Sequence, residues 1–149
     1  DLLVGTHGRS IYLLPLEAVQ QLPKLLNQSV AILDPEQIKF SKRWGQKSRD
    51  WYEAYTPKFN WTFFAQNQTD GVLTLTSEKG VVVYEEAIQL CKGLQKIPYG
   101  LIMQPDAVKS YSRKHKTGIE PADDGNTYLP KGTYALLWNN EVKTKLTIE

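Results

Sequence analysis

Short runs of strand-forming residues, separated by turn signals, follow one another through most of this chain. They lie at residues 30–33, 60–65, 72–77, 81–90, 95–103, 133–138 and 141–148. The runs at 72–77 and 141–148 alternate polar and apolar side chains, which is typical of strands with one buried face. Six or seven such strands predict a mainly β fold, an antiparallel β-sandwich of the immunoglobulin or fibronectin type III kind.

Turn residues and long polar segments predict how these strands are connected. Asn139-Asn140 suits a two-residue hairpin turn because Asn tolerates positive φ, and Asp70-Gly71 carries another common hairpin signal. Pro98 lacks a backbone donor, so its strand is expected at a sheet edge or at a bulge. Residues 41–58 and 104–126 are polar and are predicted to form two loops longer than compact domains usually contain.

Length and composition exclude several classes of protein. With 149 residues and a net charge of +2, the chain fits an ordinary globular domain, and no nucleic-acid partner is implied. No apolar run approaches the roughly 18 residues of a membrane span, so no membrane partner is expected. The single cysteine, Cys91, excludes an internal disulfide, and two histidines are too few for a histidine metal site. We therefore expect neither a metal nor another cofactor.

The first 14 residues predict a hairpin made for a larger sheet. Residues 2–4 and 11–14 are apolar runs on either side of a segment with two glycines. Both runs are apolar on both faces, and a two-stranded hairpin cannot cover itself. Because the chain opens with such a run and without Met, we interpret it as a mature or excised fragment. The unpaired edges of 1–14 are expected to pair with the sandwich, to self-associate with another copy, or to become disordered.

Residues 1–14 (D-L-L-V-G-T-H-G-R-S-I-Y-L-L) resemble the closing strands of bacterial sialidase-like β-propeller proteins. These BNR-repeat, sortilin-type proteins are often labelled glycosyl hydrolases. In that family a D-L-V-x-G-T-x-G-R stretch ends the propeller, and a short helical linker and a C-terminal β-sandwich follow. Residues 92–95 (K-G-L-Q) and 130–134 (P-K-G-T-Y) are similar to two further family motifs, whereas residues 99–101 differ from its W-D-L. The Asp-box that marks the blades is absent, so the blades are not in this chain.

The resemblance implies closing propeller strands at 1–14, a helical linker at 15–29 and a C-terminal sandwich domain at 30–149. It implies a non-catalytic accessory role, structural or in interaction, with the parent protein's own propeller as partner and an extracytoplasmic or secreted location. An alternative is a fragment of a glycoside hydrolase whose active site lies in the propeller. In that case His7 and Arg9 would lie at the propeller mouth.

No catalytic set is predicted within the chain itself. A glycosidase needs two carboxylates that flank one bond. Glu85 and Glu86 are adjacent in a strand-like run, so they would point to opposite faces. Asp123 and Asp124 precede a glycine, where Asp is ordinary turn chemistry. Whether the parent protein is an enzyme stays open.

Aromatic residues in and beside the first long loop provide a second functional hypothesis. Rings on a sandwich surface can stack against sugar faces, and the candidate rings are Trp44, Trp51, Tyr52, Tyr55 and Trp61. The alternative is that these rings pack the loop onto the sandwich or the propeller. Basic residues accompany them, a mixture also used on single-stranded nucleic acid, but no nucleic-acid motif is present. A carbohydrate-binding module with glycan partners is therefore the alternative to a structural domain.

Overall fold

The structure is a computed structural model that describes residues 2–5, 11–14, 20–21, 23, 25–35, 37–49 and 51–149, with side chains from residue 20 onward. Its strands are β1 (Leu2–Gly5), β2 (Ile11–Leu14), β3 (Val30–Ile32), β4 (Phe59–Ala65), β5 (Thr69–Ser77), β6 (Val82–Leu90), β7 (Gly93–Tyr99), β8 (Gly132–Trp138) and β9 (Glu141–Ile148). A helix, α1 (Pro105–His115), lies between β7 and β8. No helix within the described ranges is long and apolar enough to cross a membrane.

Two antiparallel sheets form the body of the fold, as the sequence pattern predicts. The first sheet has the order β3-β4-β7, and the second has the order β6-β5-β8-β9. In a constant-type immunoglobulin domain the fourth sandwich strand pairs with the fifth, whereas here the fourth, β6, pairs with the third, β5. The strand order is therefore the fibronectin type III alternative. The prediction from Pro98 is confirmed, because β7 lies at the edge of its sheet.

Apolar side chains from both sheets meet in one core. Alternate residues of β4 point inward, including Trp61 and Phe63, which share this core with Leu73 and Leu136 of the second sheet. All four side chains are at most 2% exposed. The ring of Phe63 also meets that of Trp138 edge to face, with 5.8 Å between the ring centroids. Each sheet thus buries one face against the other, which is why the strands alternate polar and apolar residues.

The chain crosses from the first sheet to the second soon after β3. Ile38 forms a parallel bridge with Ile148 of β9. Its amide donates to the Thr147 carbonyl at 3.0 Å, and its carbonyl accepts from the Glu149 amide at 2.9 Å. This crossing covers the outer edge of β9 near its end. The first long loop follows it directly in the chain.

One of the two predicted hairpin turns is confirmed and the other is wrong. Asn139 and Asn140, with φ of 49° and 67°, connect β8 to β9. Asp70 and Gly71, in contrast, lie inside β5, and the chain turns before them at 66–68. Gly71 serves packing instead, because a Cβ there would lie 2.7 Å from Cη2 of the Trp138 ring.

The second predicted loop, residues 104–126, contains a helix that the sequence analysis missed. Pro105 lies in the first turn of α1, and the helix ends at Lys116, which has a left-handed φ of 52°. Its buried residues are Ala107 and Tyr111, one turn apart, and basic residues fill the last turn. Because so narrow a stripe of the helix is apolar, the polar majority conceals its 3.6-residue period.

Tyr134 fastens the long connection between β7 and β8 to the sandwich. Its hydroxyl donates to the Pro130 carbonyl at 2.8 Å, four residues upstream. The Tyr111 hydroxyl of α1 lies 3.4 Å away. This is the geometry of a tyrosine corner, which immunoglobulin-like sandwiches place near the start of the equivalent strand. Burial raises the pKa of the Tyr134 hydroxyl well above its ordinary value, so it remains a donor.

The hairpin of β1 and β2 forms a two-stranded sheet of its own. Its register pairs Leu2 with Leu14 and Leu3 with Leu13. Within the described residues, neither strand pairs with the sandwich, so the first of its three expected fates is not observed there. Residues 6–10 between the two strands, which include His7 and Arg9, lie outside the described residues. The predicted linker at 15–29 is described only in part.

The end of the linker packs on the outer face of the first sheet. Leu25 is buried there together with Ala31, Leu33 and Phe64, which form a small apolar cluster separate from the main core. This cluster explains why Phe64 is buried although it points away from the second sheet.

Replacing Tyr134 with Phe tests the tyrosine corner. The variant leaves the Pro130 carbonyl without its donor, so we expect a loss of about 1–2 kcal/mol in the free energy of unfolding. Urea denaturation measures this loss, with Tyr52→Phe at an exposed ring as the matched control. A Tyr134→Phe variant as stable as that control would contradict a structural role for the hydroxyl.

Candidate functional site

Residues 41–58, here called the aromatic loop, carry the exposed aromatic rings of the described chain. Trp51, Tyr52 and Tyr55 are 76%, 54% and 51% exposed. Single exposed apolar residues are common on proteins, but three large rings within five positions are not. The aromatic loop is therefore the first candidate for a recognition surface.

A short backbone pairing closes the base of the aromatic loop. The Gly45 amide donates to the Tyr55 carbonyl at 2.8 Å, and the Tyr55 amide donates to the Gln46 carbonyl at 3.0 Å. Within the closed segment, the Tyr52 amide donates to the Arg49 carbonyl at 3.0 Å. These bonds restrict the backbone that carries the three exposed rings.

Trp44 anchors the aromatic loop in the core. Its ring meets Phe40 edge to face at a centroid distance of 5.2 Å and lies 6.0 Å from the ring of Tyr128. At 6% exposure, Trp44 is buried by these neighbours. Trp44 therefore gives the loop a fixed attachment to the core, although the described residues of the loop form neither helix nor strand.

Residues 122–128, between α1 and β8, contact the base of the aromatic loop and support it. The Asp124 amide donates to the Gly45 carbonyl at 3.2 Å, and the Lys47 amide donates to Asp123 Oδ2 at 3.2 Å. Gly45 has a φ of +74°, and a Cβ there would lie 2.6 Å from Tyr128 Cε2. Only glycine therefore allows the two segments to approach this closely.

A hydrogen-bonded carboxylate holds this support in shape. Asp124 accepts from the Tyr128 hydroxyl at 2.7 Å and from the backbone and side-chain amides of Asn126, each at 3.0 Å. Burial alone would raise the pKa of Asp124, but these hydrogen bonds outweigh burial and hold the pKa below its ordinary 3.8. Burial and the neighbouring carboxylate in turn raise the pKa of Tyr128 to about 12. At neutral pH the carboxylate is thus charged and the phenol protonated.

Two arginines lie beside the exposed rings. The guanidinium carbon of Arg43 is 5.4 Å from the centroid of the Tyr55 ring, and that of Arg49 is 5.5 Å from the Trp51 ring. The rings of Trp51 and Tyr52 are 6.4 Å apart and inclined at 33°. These distances lie within the range of cation–π contacts, so each arginine shares its surface with an aromatic face.

The predicted set of sugar-stacking rings is corrected at two positions. Trp44 and Trp61 are 6% and 2% exposed, and neither can offer a ring face to a ligand from solvent. Trp61 is enclosed by Phe59 and Tyr99, at centroid distances of 4.6 and 5.9 Å. Its indole nitrogen is buried without a hydrogen-bond partner in the described part of the chain. The surface set is therefore Trp51, Tyr52 and Tyr55.

The acidic pairs considered for catalysis are placed in structural contacts. Glu85 pairs with Thr74 and Glu86 with Leu73, so the two glutamates point to opposite faces of the second sheet, as predicted. Asp123 and Asp124 both support the aromatic loop. Across the described residues, no group of three or more His, Cys, Asp or Glu side chains could hold a metal ion.

Sequence reasoning missed the partners of the aromatic loop rather than the loop itself. Arg43 and Arg49 are visible in the sequence as basic residues near aromatic ones, but their contacts with individual rings depend on how the loop folds. The support by 122–128 comes from a segment more than 70 residues away. Gly45 was the one local signal, because a glycine within a long polar segment is compatible with a close backbone approach.

No protein-family model matches this chain, and no curated protein matches it either.

Replacing Gly45 with Ala tests the contact that fixes the aromatic loop. The new methyl group would clash with 122–128 and force Ala into a left-handed conformation, so we expect a loss of at least about 2 kcal/mol. Gly118→Ala is the matched control, because Gly118 has open space around its Cα and no positive φ. Urea denaturation followed by tryptophan fluorescence measures both variants. Equal stability of the two would contradict the close packing.

Proposed function

We propose that this chain is a non-catalytic accessory β-sandwich domain of a sialidase-like propeller protein, in which it has a structural or interaction role. The observation that carries the proposal is the separate sheet formed by β1 and β2. Its strands pair only with each other within the described residues. Two four-residue strands are too few for an independently stable sheet, so the hairpin suits insertion into a larger one.

The sequence of this hairpin supports a propeller as the larger sheet. Residues 1–14 resemble the strands that close a sialidase-like propeller, and the sandwich follows in the order that the resemblance implies. Six of the eight residues in the two strands are Leu, Ile or Val. Such strands favour a site covered on both faces.

Strand complementation tests the accessory role. We expect the full chain to bind a sialidase-like propeller that lacks its closing strands, because the hairpin would complete the open sheet. The variant Leu3→Asp/Leu13→Asp, at paired positions of β1 and β2, should lose this binding while its sandwich unfolds at an unchanged urea midpoint.

The control for this experiment is Val82→Asp/Val142→Asp, which places the same charges at exposed valines of the sandwich. This control should bind like the unmodified chain. Failure of the unmodified chain to bind the open propeller would contradict the proposal. A hairpin variant whose sandwich unfolds earlier would contradict it too, since the hairpin would then be part of the sandwich core.

We also propose carbohydrate binding as a second function, and a specific observation favours it. Trp51, Tyr52 and Tyr55 expose their rings on one loop. That loop is held by the backbone hydrogen bonds at its base and by its contacts with residues 122–128. Aromatic faces stack on the apolar faces of sugar rings, and a fixed loop loses little entropy on binding.

A glycan binding screen with the full chain and a Trp51→Ala/Tyr52→Ala/Tyr55→Ala variant tests the second function. If each ring contributes about 0.5–1.5 kcal/mol, the triple variant should bind at least about tenfold more weakly. Val82→Ala/Val142→Ala, which trims exposed apolar residues elsewhere, is the control and should bind normally. Binding that survives in the triple variant would place any glycan site outside the aromatic loop.

A further inference from the structure

The aromatic loop is one of two basic segments of the chain. Residues 41–58 contain five Lys or Arg and two acidic residues, a net charge of +3. The second, residues 109–116, contains four Lys or Arg and no acidic residue, but its tyrosine, Tyr111, is buried. Of these two segments, the aromatic loop is therefore the one that combines positive charge with exposed aromatic rings in the described chain.

The arginines of this loop are available to a ligand. Arg43 and Arg49 are exposed, and each lies beside a ring face, at 5.4 Å from Tyr55 and 5.5 Å from Trp51. Within the described ranges the only ion pair joins Lys143 to Glu141, both in β9, so it involves neither arginine. A planar guanidinium next to an aromatic face offers both a stacking surface and a fork of donors.

From this juxtaposition we infer that the aromatic loop binds acidic saccharides, in which a sugar ring stacks on Trp51, Tyr52 or Tyr55 while Arg43 or Arg49 pairs with an anionic group. The anionic group is a carboxylate or a sulfate, which both accept paired hydrogen bonds from a guanidinium. The inference rests on the proposed carbohydrate binding and deepens it, since neutral sugars would use the rings and leave the arginines without partners.

The charge distribution favours a saccharide over a single-stranded nucleic acid. Nucleic-acid surfaces of this kind combine stacking rings with a positive groove that follows the backbone over several nucleotides. Here the exposed rings lie within five positions of one loop, and the second basic run, residues 109–116, offers no exposed ring to continue the stacking. A site of this extent fits one or two acidic sugar units rather than a polyanion track.

Titration calorimetry with matched pairs of oligosaccharides tests the inference on the full chain. One pair is an oligogalacturonate and its methyl ester, and a second pair is a sulfated and an unsulfated oligosaccharide of one backbone. We expect at least one acidic member to bind at least about tenfold more tightly than its neutral partner. This preference should shrink as salt is raised. The two pairs distinguish a carboxylate from a sulfate ligand.

Two variants separate the roles of the arginines and the rings. Arg43→Gln/Arg49→Gln should reduce the acidic preference to less than about twofold and leave weak binding through the rings. Lys92→Gln/Lys96→Gln removes the same charge from exposed positions outside the loop, so it should keep the preference. The triple ring variant should lose binding to acidic and neutral members alike.

Each contrary outcome of these experiments would overturn either the acidic preference alone or the carbohydrate binding on which it rests. Equal binding of the acidic and neutral members, dependent on the rings, would overturn the acidic preference and keep carbohydrate binding. Binding of no saccharide would overturn both. An equal loss in the Lys92/Lys96 control would show that net charge, not the arginine–ring pairs, causes the preference. Tighter binding of a thymidine oligonucleotide than of any saccharide would replace the inference with nucleic-acid binding.

Discussion

Burial of one face of each sheet against the other is the constraint on which this molecule depends. The first sheet has three strands and the second four, and neither can hide its apolar face alone. Large aromatic rings fill much of the space between the sheets. Trp61 is enclosed by Phe59 and Tyr99, and Phe63 contacts Trp138 across the core. Core packing also requires glycine at position 71, because the Trp138 ring occupies the space that a side chain would fill there.

The two long connections are stable because they support each other. Each is longer than a compact domain usually tolerates, and each alone would expose many backbone groups. Trp44 and Gly45 of the aromatic loop pack on 122–128, and the charged Asp124 organises that segment through Tyr128 and Asn126. Tyr134 then joins the same connection to the start of β8. A surface loop with exposed rings thereby acquires a rigid base, which is the property that a recognition site requires.

The sandwich could be predicted from the sequence, whereas its supporting contacts could not. Alternation in β5 and β9 and the Asn139-Asn140 turn are local signals, and the structure confirms them. The helix α1 was missed because only Ala107 and Tyr111 are buried along it. The hairpin turn predicted from Asp70-Gly71 was wrong because the glycine is needed for packing against the ring of Trp138, a residue distant in sequence. Likewise, Trp44 and Trp51 look alike in the sequence, and only the fold separates a buried anchor from an exposed ring.

The two proposed roles are compatible because they use opposite ends of the sandwich. The linker enters β3 where Val30 pairs with Ala65, at the end of β4, and Leu25 fixes it to the outer face of that sheet. The aromatic loop leads into β4 at Phe59, six residues earlier, which is about 20 Å away along an extended strand. A domain tethered to a propeller through its linker would therefore present Trp51, Tyr52 and Tyr55 away from the tether. Attachment through the linker and recognition by the exposed rings, as proposed, would then use different ends of the first sheet and would not compete for the same face.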